Sequence, residues 1–355
     1  MSNKRLNLSR RTVLKQAAAG SAIGTGVTGV SGSQAGSDVV SGSLVSVYGS
    51  LGSGLTRADI VNAQNRALET YRSRTGDTDL VAVGAPEARS NRLENDLTVV
   101  SYAIRIYPDG TSKYDAQVVT DEQSEAVVRA AHQNTREFVE RVRQRDRAET
   151  YATTSSSGDA SFEYVSGGGT SNNGCPEGTI RISSNIYEWQ EEGSSRTIFA
   201  AQQNFRSTPG YQVKNCNGRW YSGKTETAQH RWRYSSYSGP ALNTFKPRDG
   251  RDGERETTST ITESGASISW NYSQPDVYRK NDTGNKDTDW FYRIDEGEKY
   301  THVWETGSEC EFDRYQNSEK GDWIVDGYFK HKFYDRFNYG RKTKDVLDYY
   351  FYGYG

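Results

Sequence analysis

Ala266, Ile268, Trp270 and Tyr272 alternate with Ser267, Ser269, Asn271 and Ser273. Successive side chains of an extended strand point to opposite faces, so this run has one apolar and one polar side and predicts a half-buried strand. A second alternating run surrounds Phe329, Phe333 and Phe337, set among Tyr328, Lys330, Lys332, Tyr334 and Arg336. Further strands are expected over 179–189, 197–205, 219–234, 289–294, 300–304 and 349–354. Eight or more long strands with no convincing helix between them predict an antiparallel sandwich or barrel. The hydrophobic share of 33% is low for a thick helical core but suits a surface-rich β fold, while 12% aromatic residues exclude a disordered chain. Trp-x-Tyr recurs from Trp232, Trp270 and Trp290, but the unequal spacing excludes a propeller-type repeat.

The pattern upstream is different. Thr56 caps a helix with Asp59 three residues on; Ile60, Ala63, Ala67 and Tyr71 mark its apolar face and Gly76 ends it. A short apolar strand is expected over 80–83. Two strands, 99–107 and 112–119, flank the turn Pro108-Asp109-Gly110 as a hairpin. Thr120, with Gln123 in the capping-box position, is expected to open a helix running to about Arg147, with Val128, Ala131, Thr135, Phe138 and Val142 as its buried stripe. Its acids fall early and its arginines (Arg141, Arg143, Arg145, Arg147) late, as the helix dipole favours; this arginine run reads as a solvated helix end.

Every Trp lies at or beyond Trp189 and every Cys at or beyond Cys175, and residues 152–174 are rich in Ser, Thr, Gly and Asn. The expected fold class is therefore a small α+β N-terminal module (36–151), a linker (152–174) and an all-β antiparallel sandwich or barrel-like domain (175–355).

The first 35 residues read as an address. Ser9-Arg10-Arg11-Thr12-Val13-Leu14-Lys15 resembles the twin-arginine export signal, with Val13 where Phe is commoner. Lys4, Arg5, Arg10, Arg11 and Lys15 precede any acid, an Ala/Gly/Val-rich stretch follows, and Ser33-Gln34-Ala35 offers cleavage after Ala35. The resemblance implies export of an already folded protein. With no later run near the ~20 apolar residues that span a bilayer, the mature chain is expected to be secreted, extracellular and without a transmembrane segment. Loss of the five basic residues leaves 39 basic against 46 acidic groups, a charge of −7. Together with scarce Lys and abundant Ser, Thr, Gly and Asp, this resembles the secreted proteins of salt-loving archaea. A general nucleic-acid-binding surface is disfavoured.

Motifs that carry chemistry are missing: there is no HExxH, GxSxG, CxxC, P-loop or dinucleotide fingerprint. Of the four histidines, His132 falls on a helix, and His230, His302 and His331 fall in strands; His331 shares the face of Phe329 and Phe333 and reads as a core or sheet-edge residue rather than a catalytic base. Asn285, Asp287, Asp289 and Glu296 partly imitate a calcium loop, but Trp290 occupies the glycine position, and an acidic hairpin loop is the better reading. No metal and no cofactor are expected. Cys175 and Cys216 both sit in turn contexts and are expected to pair, closing a loop of ~40 residues that could contribute about 4 kcal/mol. Cys310 is left over. Of two glycosylation sequons, Asn281 is expected in a loop and Asn271 on the polar side of a strand.

These features point first to a secreted, non-enzymatic binding or interaction module. Its partner would be a surface, glycan or protein, with Tyr and Trp on outer strand faces as stacking platforms. The alternative is a secreted toxin or antimicrobial acting on membranes, since the Ser/Thr-rich alternation of Thr257–Ser273 suits a β-barrel pore. An extracellular hydrolase is a third class; the 46 acids offer many carboxylates, but none is singled out.

Overall fold

A computed structural model describes residues 43–352 except 51, 80, 87–96, 121–122, 150–162, 191–196, 214–222, 235–241, 247–249, 253–254, 264–265, 275–276, 284–286, 295–300, 313–322 and 336–339. The strands are β1 (Leu44–Tyr48), β2 (Ala82–Pro86), β3 (Leu97–Ile106), β4 (Ser112–Thr120), β5 (Glu163–Asn173), β6 (Gly178–Gln190), β7 (Thr197–Pro209), β8 (Gly223–Tyr234), β9 (Leu242–Lys246), β10 (Gly250–Asp252), β11 (Arg255–Glu263), β12 (Ala266–Gln274), β13 (Val277–Thr283), β14 (Asp287–Ile294), β15 (His302–Phe312), β16 (Trp323–Asp335) and β17 (Gly340–Tyr352). The helices are α1 (Arg57–Thr75) and α2 (Glu125–Glu149). For β9 to β13 the description is of the backbone path.

Two large sheets and a separate hairpin result. The first sheet has the order β1-β3-β4-β5-β6-β7-β15-β9, the second β10-β13-β14-β8-β16-β17-β2, and β11 pairs with β12 alone. Antiparallel pairing dominates; β4 and β5 are parallel. The fold is mostly β with two helices near the N-terminus, as the two periodicities predict.

The sheets meet in one core. Ile182, Ile186, Phe199, Phe205 and Trp304 of the first pack with Trp232, Trp290, Tyr292, Phe329, Phe333 and Val346 of the second. Period-two alternation puts these side chains inward and sends Lys330, Lys332 and Tyr334 of β16 outward, which is why an apolar fraction as low as this one still closes a sandwich.

Helix α1 is built as its sequence dictates. Thr56 accepts from the Asp59 amide, Asp59 reaches back to the Thr56 amide, and Gly76 ends the helix in the left-handed region at φ 70°. Its face of Ile60, Ala63, Ala67, Leu68 and Tyr71 joins the main core. Helix α2 begins later than expected. Thr120 belongs to the end of β4 and its Oγ1 accepts from Gln123 Nε2, while the Ser124 carbonyl takes the first helical amide bond, from Val128. Val127, Val128, Ala131, Thr135, Val139 and Val142 are buried, and Phe138 packs beside them half-buried.

The division into two modules is corrected. Residues 163–173 of the expected linker form β5, paired to β4 on one side and β6 on the other. Small residues are needed there: at Gly168, φ +141°, a Cβ would collide with the Tyr114 carbonyl, and at Gly169 with that of Ile182. The composition that resembles a linker thus serves close strand packing. The strand near residue 82 crosses to the second sheet, β2 pairing with β17 from Ala82↔Tyr352 to Pro86↔Asp348. Both halves of the chain contribute to both sheets.

Candidate functional site

The β11–β12 hairpin stands apart from the two sheets. Its ladder runs from Arg255↔Gln274 to Glu263↔Ala266, nine residues to a strand. Directly paired residues share a face of an antiparallel ladder. One face therefore carries the positions of Thr257/Tyr272, Ser259/Trp270, Ile261/Ile268 and Glu263/Ala266, the other those of Glu256/Ser273, Thr258/Asn271, Thr260/Ser269 and Thr262/Ser267. That first face also carries Arg255/Gln274 at its open end and Glu263 at its turn, so its apolar positions are Ile261 of β11 and Ala266, Ile268, Trp270 and Tyr272 of β12. It lies beside the β9–β15 end of the first sheet.

Between the sheets, a polar seam interrupts the apolar core. Tyr114 donates its hydroxyl to Asp348 Oδ2 at 2.8 Å. Burial drives the Asp348 carboxyl up to about 7, the nearby charge of Asp326 adds to the rise, and the Tyr114 hydrogen bond opposes it. Asp326 is itself ion-paired with Arg233. Farther along β17, buried Lys344 holds its ammonium 3.6 Å from Glu177 Oε2; burial lowers its pKa and Glu177 counteracts the shift. Asn172 Nδ2 donates to the Asp345 carbonyl at 2.7 Å, tying β5 to β17. None of these groups is exposed, so they position the sheets rather than meet a ligand.

The same layer contains two fully buried histidines. His230 of β8 stacks on Phe205 at 3.7 Å between ring centroids, with Tyr292, Phe329 and Trp304 around it. His331 of β16 contacts Phe333 and Trp304, the core position expected for it. His132 lies on α2, with Nε2 2.9 Å from the Val100 carbonyl and its ring edge-on to Tyr48.

A cleft between β1 and α2 is lined by Tyr48, Arg136, Glu137, Glu140 and Arg143, among others. Its charges are matched inside it: Arg143 bonds Glu140 at 2.7 Å, and Arg136 lies over the Tyr48 ring. Among the described residues no group of three His, Cys, Asp or Glu is placed to hold a metal ion. Residues 285–286 and 296 of the calcium-like segment lie outside the described residues; Asp287 and Asp289 belong to β14, Asp289 in register with Asp282 of β13.

The expected aromatic platforms are largely internal. Trp189, Trp232, Trp290 and Trp304 are buried and Trp323 is half-buried. Among the described large hydrophobic side chains only Phe291, 38% exposed, faces solvent openly. The rings fill a wide inter-sheet core, which removes the stacking argument for a binding module at those positions.

Other expected site residues fare differently. Arg10, Arg11 and the cleavage point after Ala35 lie outside the described residues, as does Cys216. Asn281 is not in a loop: it lies within β13, in register with Trp290. Cys175 is disulfide-bonded. Register separates Cys310 from it, because Cys310 pairs with Phe199, which pairs with Glu188 at the far end of β6 from Gly178. That interval is about 33 Å at the usual rise per residue, far beyond disulfide reach.

The residues missed were Lys344 and Asp348, because charged positions on a half-read strand suggest solvent. Their parity with Val346 and Tyr350 was the available signal.

No family model and no curated protein sequence matches the chain. Among solved structures it is similar to the Clostridium perfringens delta-toxin, at TM-score 0.33 and 10% identity over 51% of this chain and 88% of that one. A structure described as a pore forming protein is similar at TM-score 0.31 and 7% identity, over 54% and 94%. The Clostridium perfringens NetB toxin in its membrane-inserted form follows at TM-score 0.24 and 7% identity, over 49% and 88%.

Proposed function

We propose that the protein is secreted and acts on membranes, and that the β11–β12 hairpin is the element that enters the bilayer. The observation that carries this reading is the hairpin itself, separate from both sheets and amphipathic by register. A membrane-crossing β-strand needs about 9–11 residues with apolar and polar positions alternating, and backbone groups in hydrocarbon must be satisfied by neighbouring strands. Each hairpin strand has nine residues. The face that carries Ile261, Ala266, Ile268, Trp270 and Tyr272 would meet lipid, and the Ser/Thr/Asn face would line a lumen. Thr257 and Ser259 also lie on the lipid-facing side, with the charged Arg255 and Glu263 at its two ends near the headgroups. One hairpin cannot close a barrel, so the reading requires several copies at the membrane. The twin-arginine-like leader supports delivery to the exterior.

The test is dye release from phosphatidylcholine–phosphatidylglycerol vesicles by the chain from Gly36 onward. Ile261→Asp with Ile268→Asp should abolish release, and Thr260→Ala with Ser269→Ala should leave it within about threefold, because only the first pair changes the lipid-facing side. Release unaffected by the aspartates, or no release at any protein concentration, overturns the reading.

A further inference from the structure

We infer that His230 is an acid-sensitive latch between the two sheets: proton uptake on its ring loosens the core that joins them. The inference rests on the membrane reading for its purpose, the loosened state being the one that releases the hairpin to lipid.

The geometry is unusual for a histidine. The ring is fully buried on β8, inside the second sheet, and lies flat against Phe205 of the first sheet, 3.7 Å between centroids and 21° from parallel. Tyr292 at 4.6 Å, Phe329 at 5.0 Å and Trp304 at 5.6 Å complete the cage. Among the described residues, neither Nδ1 nor Nε2 has a hydrogen-bond partner. A neutral imidazole serves there as a flat packing unit. An imidazolium carries two N–H donors and a full charge. The ring faces offer a cation some attraction, but the cage gives neither donor an acceptor.

Among the described residues, no compensating charge faces the ring. Facing the same layer are His331 on β16, Tyr292 on β14 and, in register with His331, Lys344 on β17 with its partner Glu177. His302 on β15 holds a position of the same parity as Trp304, and Phe205 is the facing residue from β7. The inward acid nearest in register is Asp348, across from Gly327 and two residues along β16 from Phe329, the partner of His230. Burial raises that carboxyl to about 7, so it takes up a proton as the medium acidifies and supplies no counter-ion.

Burial, helped by His331, holds the His230 pKa well below its ordinary value. The sign follows. The unfolded chain binds a proton near pH 6.5 that the folded core refuses, so the stability contributed by the neutral ring is complete above that pH and is lost as pH falls below it. Asp348 works in the opposite sense, which is why the histidine must be tested by its own substitution.

Near-UV circular dichroism and binding of an apolar dye, followed from pH 8 to 4 on the chain from Gly36 onward, should report opening of the core at acid pH. His230→Phe, which keeps a flat ring, should move that midpoint down by about one pH unit or more. Dye release from the same vesicles should be about tenfold faster at pH 5.5 than at 7.5 in the parent and equal at the two pH values in the variant. An unmoved midpoint overturns the latch. A moved midpoint without vesicle release at any pH supports the latch and overturns the membrane reading. Should His230→Phe fail to fold, imidazole carbon-13 resonances of the parent decide: one ring staying neutral until near-UV signal is lost supports the latch, and all four titrating near pH 6.5 with the signal intact overturn it.

Discussion

The Tyr114 hydroxyl donates to the Asp348 carboxyl at 2.8 Å, joining residues 234 positions apart in sequence. Tyr114 belongs to β4 of the first sheet and Asp348 to β17 of the second, so this bond fastens the two layers where the N-terminal and C-terminal parts of the chain overlap. Tyr350 packs edge-on against the same tyrosine ring, its centroid 5.7 Å away.

The first prediction concerns cooperativity. A fragment of residues 175–355 lacks β5, β2 and the Tyr114 partner of Asp348, and leaves one flank of β6 and one of β17 unpaired. It should show no cooperative thermal transition, whereas the chain from Gly36 onward should unfold in one step by both circular dichroism and calorimetry. A fragment that melts sharply would restore the two-module division.

Asp348→Asn is the second. A folded-state pKa of about 7 against an ordinary 3.8 means that the folded core must ionise a buried carboxyl as pH rises through 7. Stability is therefore lost progressively from about pH 4 towards 7, by on the order of 4 kcal/mol in full. The amide should remove that slope and make the variant more stable than the parent at pH 8 in urea titrations. Parallel pH profiles for the two would refute it.

The third is the disulfide. With Cys310 about 33 Å away along the ladder, non-reducing peptide mapping should recover Cys175 linked to Cys216 and Cys310 alkylatable after denaturation. Reduction should lower stability by roughly 2–4 kcal/mol. Recovery of a Cys175–Cys310 peptide would contradict the observed register.

Export is the fourth. Replacing Arg10 and Arg11 together by Lys should stop secretion, and sequencing of the secreted parent should begin at Gly36. Normal secretion of the double-lysine variant would eliminate the twin-arginine assignment.

Much of this architecture was legible where one physical signal acted alone. Thr56 with Asp59, and Gly76 after the last turn, delimit α1 because caps are local chemistry. The Pro108-Asp109-Gly110 turn gives the β3–β4 hairpin for the same reason. Strand β17 was read over only its last residues, since Lys344, Asp345 and Asp348 look like solvent-facing positions, while their contacts come from Glu177, Asn172 and Tyr114, far away in the sequence. Strand β5 was hidden because Gly167–Gly169 reads as a loop unless the carbonyls of Tyr114 and Ile182 are known to press against it. The amphipathic hairpin of the proposed membrane element could be found from alternation alone; the His230 cage could not, because its five rings come from five strands and two sheets.

The pairing of β2 with β17 has a consequence for synthesis on the ribosome. Residues 82–86 find their ladder partners only in residues 348–352. Contacts so far apart in sequence form slowly, and an edge awaiting its partner invites pairing with another chain. While translation proceeds, β2 therefore packs on β4 and β5 without its ladder partner, its edge needs shielding, and a nascent chain halted before residue 348 should be a client of chaperones although its first sheet is already encoded.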